Sequence, residues 1–319
     1  MSKKKLFIAF MLVSMAIFAS CGTALAAKTF LSIATGGTSG TYYPIGGAIA
    51  AAVSKGSDIQ ATAETGNAAI ANINLVGNKE IEVAFAQNDS TFWAYTGTVI
   101  FEKPMTNLRT IAALYPEFVQ LITTKDSGIK TMADLKGKRV GVGAPGSGVE
   151  GDVRAIVQVA GLTYDDMKVD FLDFGATTSR FKDNQIDAGF VVAGYPTASV
   201  MDLATTKDIT LMNFDNAFLE KLAKEHPYFM PKVIPAGTYR GIDNDTTTPA
   251  VMAILVTHED VPEDVIYQFT KAMFDNIGDV HASHAMAREI NLENALNGLT
   301  APLHPGAAKF YKEKGMKVD

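Results

Sequence analysis

Four short segments place small, hydroxyl-bearing residues between an apolar run and a helical one. Gly36-Gly37-Thr38-Ser39-Gly40-Thr41-Tyr42-Tyr43-Pro44 is the densest of them, with glycines, hydroxyls and two tyrosines in nine positions. Ala144-Pro145-Gly146-Ser147-Gly148, Gly175-Ala176-Thr177-Thr178-Ser179 and Gly194-Tyr195-Pro196-Thr197 repeat the device later in the chain. The exposed N–H groups and partial positive charge of a helix N-terminus, helped by hydroxyls, suit a small anion. A turn of this kind does not need so many Gly, Ser and Thr residues. The competing reading, a tight turn with Thr41 as helix cap and Pro44 in the first turn, is compatible with binding. Gln87 and Asn88 end a strand where their amides can meet a ligand, while Asp89 suits an Asx cap. The candidate ligand-binding set is therefore Gly40, Thr41, Tyr42, Gln87 and Asn88 on one wall. Gly146, Ser147 and Gly148 with Gly194, Tyr195, Pro196 and Thr197 form the other.

Catalytic chemistry finds little support. Residues 141–146 match G-x-G-x-x-G, but Pro145 stiffens the turn that a pyrophosphate needs flexible, and no Gly-Lys-Ser/Thr follows the first loop. No G-x-S-x-G or H-E-x-x-H occurs. His281 and His284 lack a third ligand at helical spacing and read as surface residues. The expectation is a non-enzyme with no metal and no cofactor. Trp93 reads as packing, and Arg154, Arg180 and Arg240 are the available guanidinium partners for an anion, Arg180 being the best placed.

These loops need elements to hold them. Val/Ile/Phe-rich runs at 30–34, 81–86, 110–114, 118–123, 139–142, 168–172, 188–192 and 251–257 predict strands. Helices are expected at 44–54, 68–76, 151–160, 262–276 and 294–299. The alternation predicts an α/β fold with largely parallel sheets, whose ligand loops share the carboxyl ends of the strands. Entry into a second lobe falls near 129–138 and the return near 234–239. The chain then crosses twice, near 115–119 and 248–253, where a hinge belongs. The expected division is a signal at 1–26, domain I at 27–117 and 250–319, and domain II at 118–249.

Lys3, Lys4 and Lys5 precede a 15-residue apolar run at 6–20, too short to span a bilayer and suited to a secretory signal. Ala24-Leu25-Ala26 fits ordinary signal cleavage, and Phe18-Ala19-Ser20-Cys21 approximates a lipoprotein box. Cys21 is the only cysteine, so the mature chain has no disulfide. Removing 1–26 takes away three lysines and no acid, moving the net charge from −6 to −9. That balance excludes nucleic acid as a natural partner.

The run Ile33-Ala34-Thr35-Gly36-Gly37-Thr38-Ser39-Gly40-Thr41-Tyr42-Tyr43-Pro44-Ile45-Gly46-Gly47 resembles the TAXI class of solute receptors that serve TRAP transporters. Ala86-Gln87-Asn88-Asp89, Pro145-Gly146-Ser147-Gly148, Ala193-Gly194-Tyr195-Pro196-Thr197, Ile234-Pro235-Ala236-Gly237-Thr238-Tyr239 and 303–313 continue the resemblance. It implies a two-lobed periplasmic binding protein of type II, with interleaved domains and a central ligand cleft. It also implies a small carboxylate ligand, glutamate-like or a C4–C5 organic acid, a TRAP membrane subunit as partner, a monomer, and a structural role for Pro305-Gly306-Ala307. A receptor for an ABC importer or a sensor is the first alternative, and an exported enzyme using the Gly-rich turns the second.

Overall fold

The computed structural model describes residues 28–66 and 68–318. The leader at 1–26, both processing sites and Cys21 lie outside the described residues.

Ten strands form one twisted sheet, in the order β2-β1-β3-β10-β4-β7-β5-β6, with β8 added to β4 and β9 to β10. They are β1 (Thr29–Ala34), β2 (Ile59–Glu64), β3 (Val83–Gln87), β4 (Leu108–Thr124), β5 (Arg139–Gly141), β6 (Lys168–Asp170), β7 (Ala188–Ala193), β8 (Ile209–Leu211), β9 (Met230–Ile234) and β10 (Thr246–His258). Helices follow the strands: α1 (Tyr42–Gly56), α2 (Ala69–Gly77), α3 (Asn88–Thr96), α4 (Gly148–Val159), α5 (Phe174–Lys182), α6 (Ala198–Thr206), α7 (Asn216–Glu225), α8 (Glu263–Asp275), α9 (Ile277–His281) and α10 (Pro305–Glu313).

The expectation of largely parallel sheets needs correction. β1 runs parallel to β2 and β3, and β5 to β6 and β7, but the middle is antiparallel because β10 opposes β3, β4 and β9, and β4 opposes β7 and β8. The two central strands are long because they serve both halves of the molecule. β4 is buried at nearly every position, so its apolar residues do not alternate with polar ones. The runs expected at 110–114 and 118–123 are one strand, with Pro116 in its middle.

Pro116 lacks a ladder donor, and the pairing shifts register beside it: Ala253 faces Tyr115 while Ile254 faces Ala113, leaving Leu114 as the extra residue of a bulge. Bulges bend strands and increase local twist. The bend falls where the chain passes from one half of the sheet to the other.

Each half buries helices on both faces. In the first, Ile45, Ile49 and Val53 at four-residue spacing put one stripe of α1 against Ile33, Phe85 and Leu255, with Phe269, Met273, Phe310 and Tyr311 of α8 and α10 beside them. Ile73 and Val76 of α2 cover Ala84 and Val256 on the opposite face. In the second half Val153 and Ile156 of α4 meet Val140, Phe190 and Val192, and Phe181, Val200 and Leu203 cover Ile122 and Val191 from behind. Each fully buried side chain of this size contributes about 1.5–3 kcal/mol. Two close approaches demand glycine: a Cβ at Gly46 would stand 2.5 Å from Thr35 Cγ2, and one at Gly306 would stand 2.2 Å from the Glu263 carbonyl oxygen. The second explains Pro305-Gly306-Ala307, which seats α10 on α8 below its N-cap His304.

Two local expectations fail. Residues 294–299 form turns rather than a helix, with Gly298 at φ +74° beyond the reach of a regular helix. Gly175 to Ser179 lie inside α5, because Asp173 caps that helix by accepting from Ala176 N at 2.7 Å.

Candidate ligand cleft

The strand-to-helix loops of the two halves meet across a cleft, and its walls touch. Ala71 N donates to the Gly146 carbonyl at 3.0 Å and Ser199 N to the Ser39 carbonyl at 3.1 Å. Gly194 N donates to Thr41 Oγ1 at 3.3 Å, Gln87 Nε2 to Asp152 Oδ2 at 3.2 Å, and Trp93 Nε1 to Tyr228 Oη at 3.0 Å. β4 and β10 run through both halves, and these bonds hold the facing loops together.

Each residue singled out from sequence has a definite place. Thr41 precedes α1 but does not cap it with its side chain. Its hydroxyl instead sits between Tyr115 Oη and Gly194 N, both at 3.3 Å. Tyr42 turns inward, its hydroxyl 2.7 Å from Glu117 Oε2 and 3.1 Å from the Ala86 carbonyl, two acceptors for one proton. Gly40 lies under Phe174, 3.3 Å from where a Cβ would stand. Asn88 is a bracket: Oδ1 accepts from Met252 N at 3.0 Å, fastening α3 to β10. Gly146, at φ +75°, turns its carbonyl to the opposite wall. Ser147 caps α4, donating to the Ala144 carbonyl at 2.7 Å and accepting from Glu150 N at 3.3 Å. Gly148 leaves room for Gln87, whose Oε1 would be 1.4 Å from an added Cβ.

At the other end Tyr195 packs edge-on against Phe118, ring centroids 4.7 Å apart, next to the cis bond to Pro196. The Pro196 carbonyl accepts from His284 Nε2 at 3.0 Å, and His281 Nε2 reaches the Ile290 carbonyl at 2.8 Å. Both histidines are half-buried and bonded to backbone rather than free on the surface, a correction to the sequence reading. Thr197 donates to the Gly194 carbonyl at 2.8 Å and accepts from Gln120 Nε2 at 2.9 Å. Its N–H donates to Tyr239 Oη at 2.9 Å, and Tyr239 donates to Gln120 Oε1 at 2.5 Å.

The three arginines lie elsewhere. Arg180 pairs with Gln185 at 2.7 Å and Asp170 at 3.9 Å; Arg154 pairs with Glu150 at 2.5 Å and lies over the Tyr164 ring; Arg240 donates to the Thr205 carbonyl.

Sequence reasoning missed the acids of this cleft. Glu117 on β4 is 2% exposed, and Asp89 in the first turn of α3 and Asp152 on α4 are each 0% exposed. Burial raises the carboxyl pKa of all three, Glu117 and Asp152 most, since a charged carboxylate loses its hydration without gaining a cation. The charge of Asp89 pushes the Asp152 carboxyl up further. Signals were present. Glu117 is a lone carboxylate within a 17-residue buried strand, and Asp152 falls on the apolar face of α4 beside Val149, Val153 and Ile156.

A twisted sheet of two α/β halves linked by two long strands, with strand-end loops closing on one another, is the fold of type II periplasmic binding proteins. A solved structure from Bordetella bronchiseptica matches at a TM-score of 0.55, with 17% identity over 90% of this chain and 89% of that one. PhnD1 from Prochlorococcus marinus, solved with methylphosphonate, matches at 0.53, with 14% identity over 90% and 96%. A binding protein component of an ABC phosphonate transporter from Pseudomonas aeruginosa matches at 0.51, with 12% identity over 81% and 79%. The chain belongs to the NMT1-like family, whose model matches residues 33–315.

Proposed function

We propose that this chain is an extracytoplasmic solute receptor that closes on a small solute and presents it to a membrane transporter. The observation that carries the reading is the meeting of strand-end loops from two halves joined at a bulged pair of strands. In this reading 27–117 and 250–319 form one lobe and 118–249 the other, and motion at 115–119 and 248–253 opens the clamp. Gly40, Thr41, Tyr42, Gln87 and Asn88 belong to one wall, and Gly146 to Gly148 with Gly194 to Thr197 to the other. Periplasmic location follows from the leader at 1–26; among the described residues no helix is long and apolar enough to cross a membrane. A binding rather than catalytic role is supported by walls whose polar groups bond to one another without a paired nucleophile and base.

The TAXI-like motifs at 33–47 and 303–313 favour a TRAP-type permease as partner. An ABC importer is the second reading, favoured by the phosphonate-transporter component among similar folds. Solute uptake into vesicles carrying the partner membrane protein separates the two: collapse of the ion gradient stops the first, and removal of ATP stops the second. For the receptor reading, small-angle scattering is expected to show a smaller radius of gyration once a solute saturates the protein. A radius indifferent to every solute that raises the melting temperature would overturn hinge closure.

A further inference from the structure

The acids at one end of the cleft specify the charge of the solute. We propose that the solute carries a positively charged nitrogen, an ammonium or guanidinium group, received by Asp89, Glu117 and Asp152 with the Gln87 carbonyl as a neutral fourth acceptor. The proposal rests on the receptor reading and names the ligand class of that site, displacing the small carboxylate that the sequence resemblance implies.

Three observations converge. First, the three carboxyls come from different elements (α3, β4 and α4) and from both walls, so only closure assembles them. Among the described residues no lysine or arginine pairs with any of them. A buried acid cluster without a cation is costly, and structures keep one only when something offsets it. Second, the unmatched atoms are acceptors. Asp89 Oδ2, Asp152 Oδ1 and Gln87 Oε1 are buried and find no protein N–H or O–H donor, although Gln87 Nε2 is bonded within the same cluster. An ammonium offers three donors and a guanidinium five; a carboxylate or phosphonate offers none and would add like charge. Third, the cluster is walled by aromatic rings suited to a cation. Tyr42 bonds Glu117, Tyr115 lies beside it on β4, and Trp93 meets Tyr228 edge-on at 5.7 Å between centroids.

The groups facing these carboxyls are few. Tyr42 comes from α1, Gln87 from β3, Tyr115 from β4, and Tyr228 with His226 from the segment before β9. Burial depresses the pKa of His226, which disfavours its charged form, and its Nδ1 lies 2.9 Å from Tyr228 Oη. A bound cation favours the ionised carboxyls, so its binding expels to solvent whatever protons they carry. Affinity rises with pH through the raised carboxyl range.

Isothermal titration tests the assignment on the mature protein. The probes are arginine, putrescine and agmatine against succinate and methylphosphonate, at pH 5.5 and pH 8 and in two buffers of different ionisation enthalpy. The expected result is that at least one of the cations binds, more tightly at pH 8, with heats that differ between buffers because protons are released. Asp152→Asn and Glu117→Gln are each expected to lower that affinity about 100-fold or more, since breaking a buried charge pair is strongly unfavourable, while circular dichroism shows both variants folded. Succinate or methylphosphonate binding while no cation binds overturns the ligand class and leaves the receptor reading standing. Cation binding unaffected by both substitutions overturns the site. Failure of every probe to bind overturns the ligand class, while the receptor reading stands or falls on the scattering test.

Discussion

The two ends of the cleft are built from the same kinds of element and solve their polar burial differently. At the end formed by Thr41, Gln120, Gly194, Thr197 and Tyr239, donors and acceptors close into a ring of neutral hydrogen bonds between 2.5 and 3.4 Å. At the end formed by Gln87, Asp89, Glu117 and Asp152, acids are buried against one another and acceptor atoms stay unmatched. A satisfied network is worth keeping for rigidity; an unsatisfied one is destabilising and needs a purpose. The contrast separates the part of the cleft that holds the walls in register from the part that waits for a solute.

The sharpest way to break that division is to wedge the acid end open. At Gly148 a Cβ would sit 1.4 Å from Gln87 Oε1 and 3.1 Å from Ala69 Cβ, across the line where the walls meet. Gly148→Ala is expected to shift the protein toward an open form with a larger radius of gyration. Overpacking costs about 1–3 kcal/mol, which translates to roughly 10- to 100-fold in solute affinity. Scattering profiles that superimpose on wild type would mean that Gln87 moves aside and the contact does not govern closure.

The neutral end predicts a cost in stability instead. Tyr239→Phe removes the hydroxyl that bonds Gln120 and the Thr197 N–H, leaving buried partners unpaired at about 1–3 kcal/mol. Urea denaturation is expected to show that loss with solute affinity within about threefold of wild type, a change worth under 1 kcal/mol. A large fall in affinity with unchanged stability would move the binding function to this end.

Asp152→Asn should act with the opposite sign on the ligand-free protein. Because folding raises this carboxyl's pKa, the folded state binds more protons than the unfolded chain above about pH 4. That contribution is fully present below the unfolded value and is lost as pH rises toward the folded one. The substitution removes the loss, so melting temperatures of variant and wild type should converge near pH 4.5 and diverge at pH 8, the variant being more stable by about 1–2 kcal/mol. Taking the difference between the two proteins cancels His226, His258, His284 and His304, whose depressed values weaken the fold as pH falls. Equal melting curves at pH 8 would show that Asp152 costs the closed form nothing.

The contrast also explains what the sequence made legible. Gly36 to Thr41, Ser147 and Gly194 to Thr197 stand out because small and hydroxyl residues cluster where a strand turns into a helix, a local pattern. The acids do not cluster in sequence: Asp89, Glu117 and Asp152 lie 28 and 35 positions apart, and sheet order alone brings them together. Asp89 read as an Asx cap, and its Oδ1 does accept from Ser90 N at 2.6 Å, so a local role hid a distant one. Short β2 was lost among helical intervals, and the antiparallel centre could not be read because direction depends on which strands become neighbours. The Gly-rich loops signalled helix N-termini, but the N–H groups of Gly40 and Ser147 bond within their own turns, and Gly194's bonds across to Thr41 Oγ1.

Ser147 gives the smallest and most discriminating effect. Its side chain has two local partners, Ala144 and Glu150, which makes it a cap rather than a solute donor. Ser147→Ala should cost about 1 kcal/mol of stability, as cap losses do, and Ser147→Asn should recover most of it, because Asn caps equally well. If the hydroxyl instead reaches the solute, both substitutions would weaken binding alike, whatever their effect on melting. The pattern across the two variants, stability restored or affinity lost, therefore decides whether the lower wall recognises its cargo through this loop or merely holds α4 in place beneath Asp152.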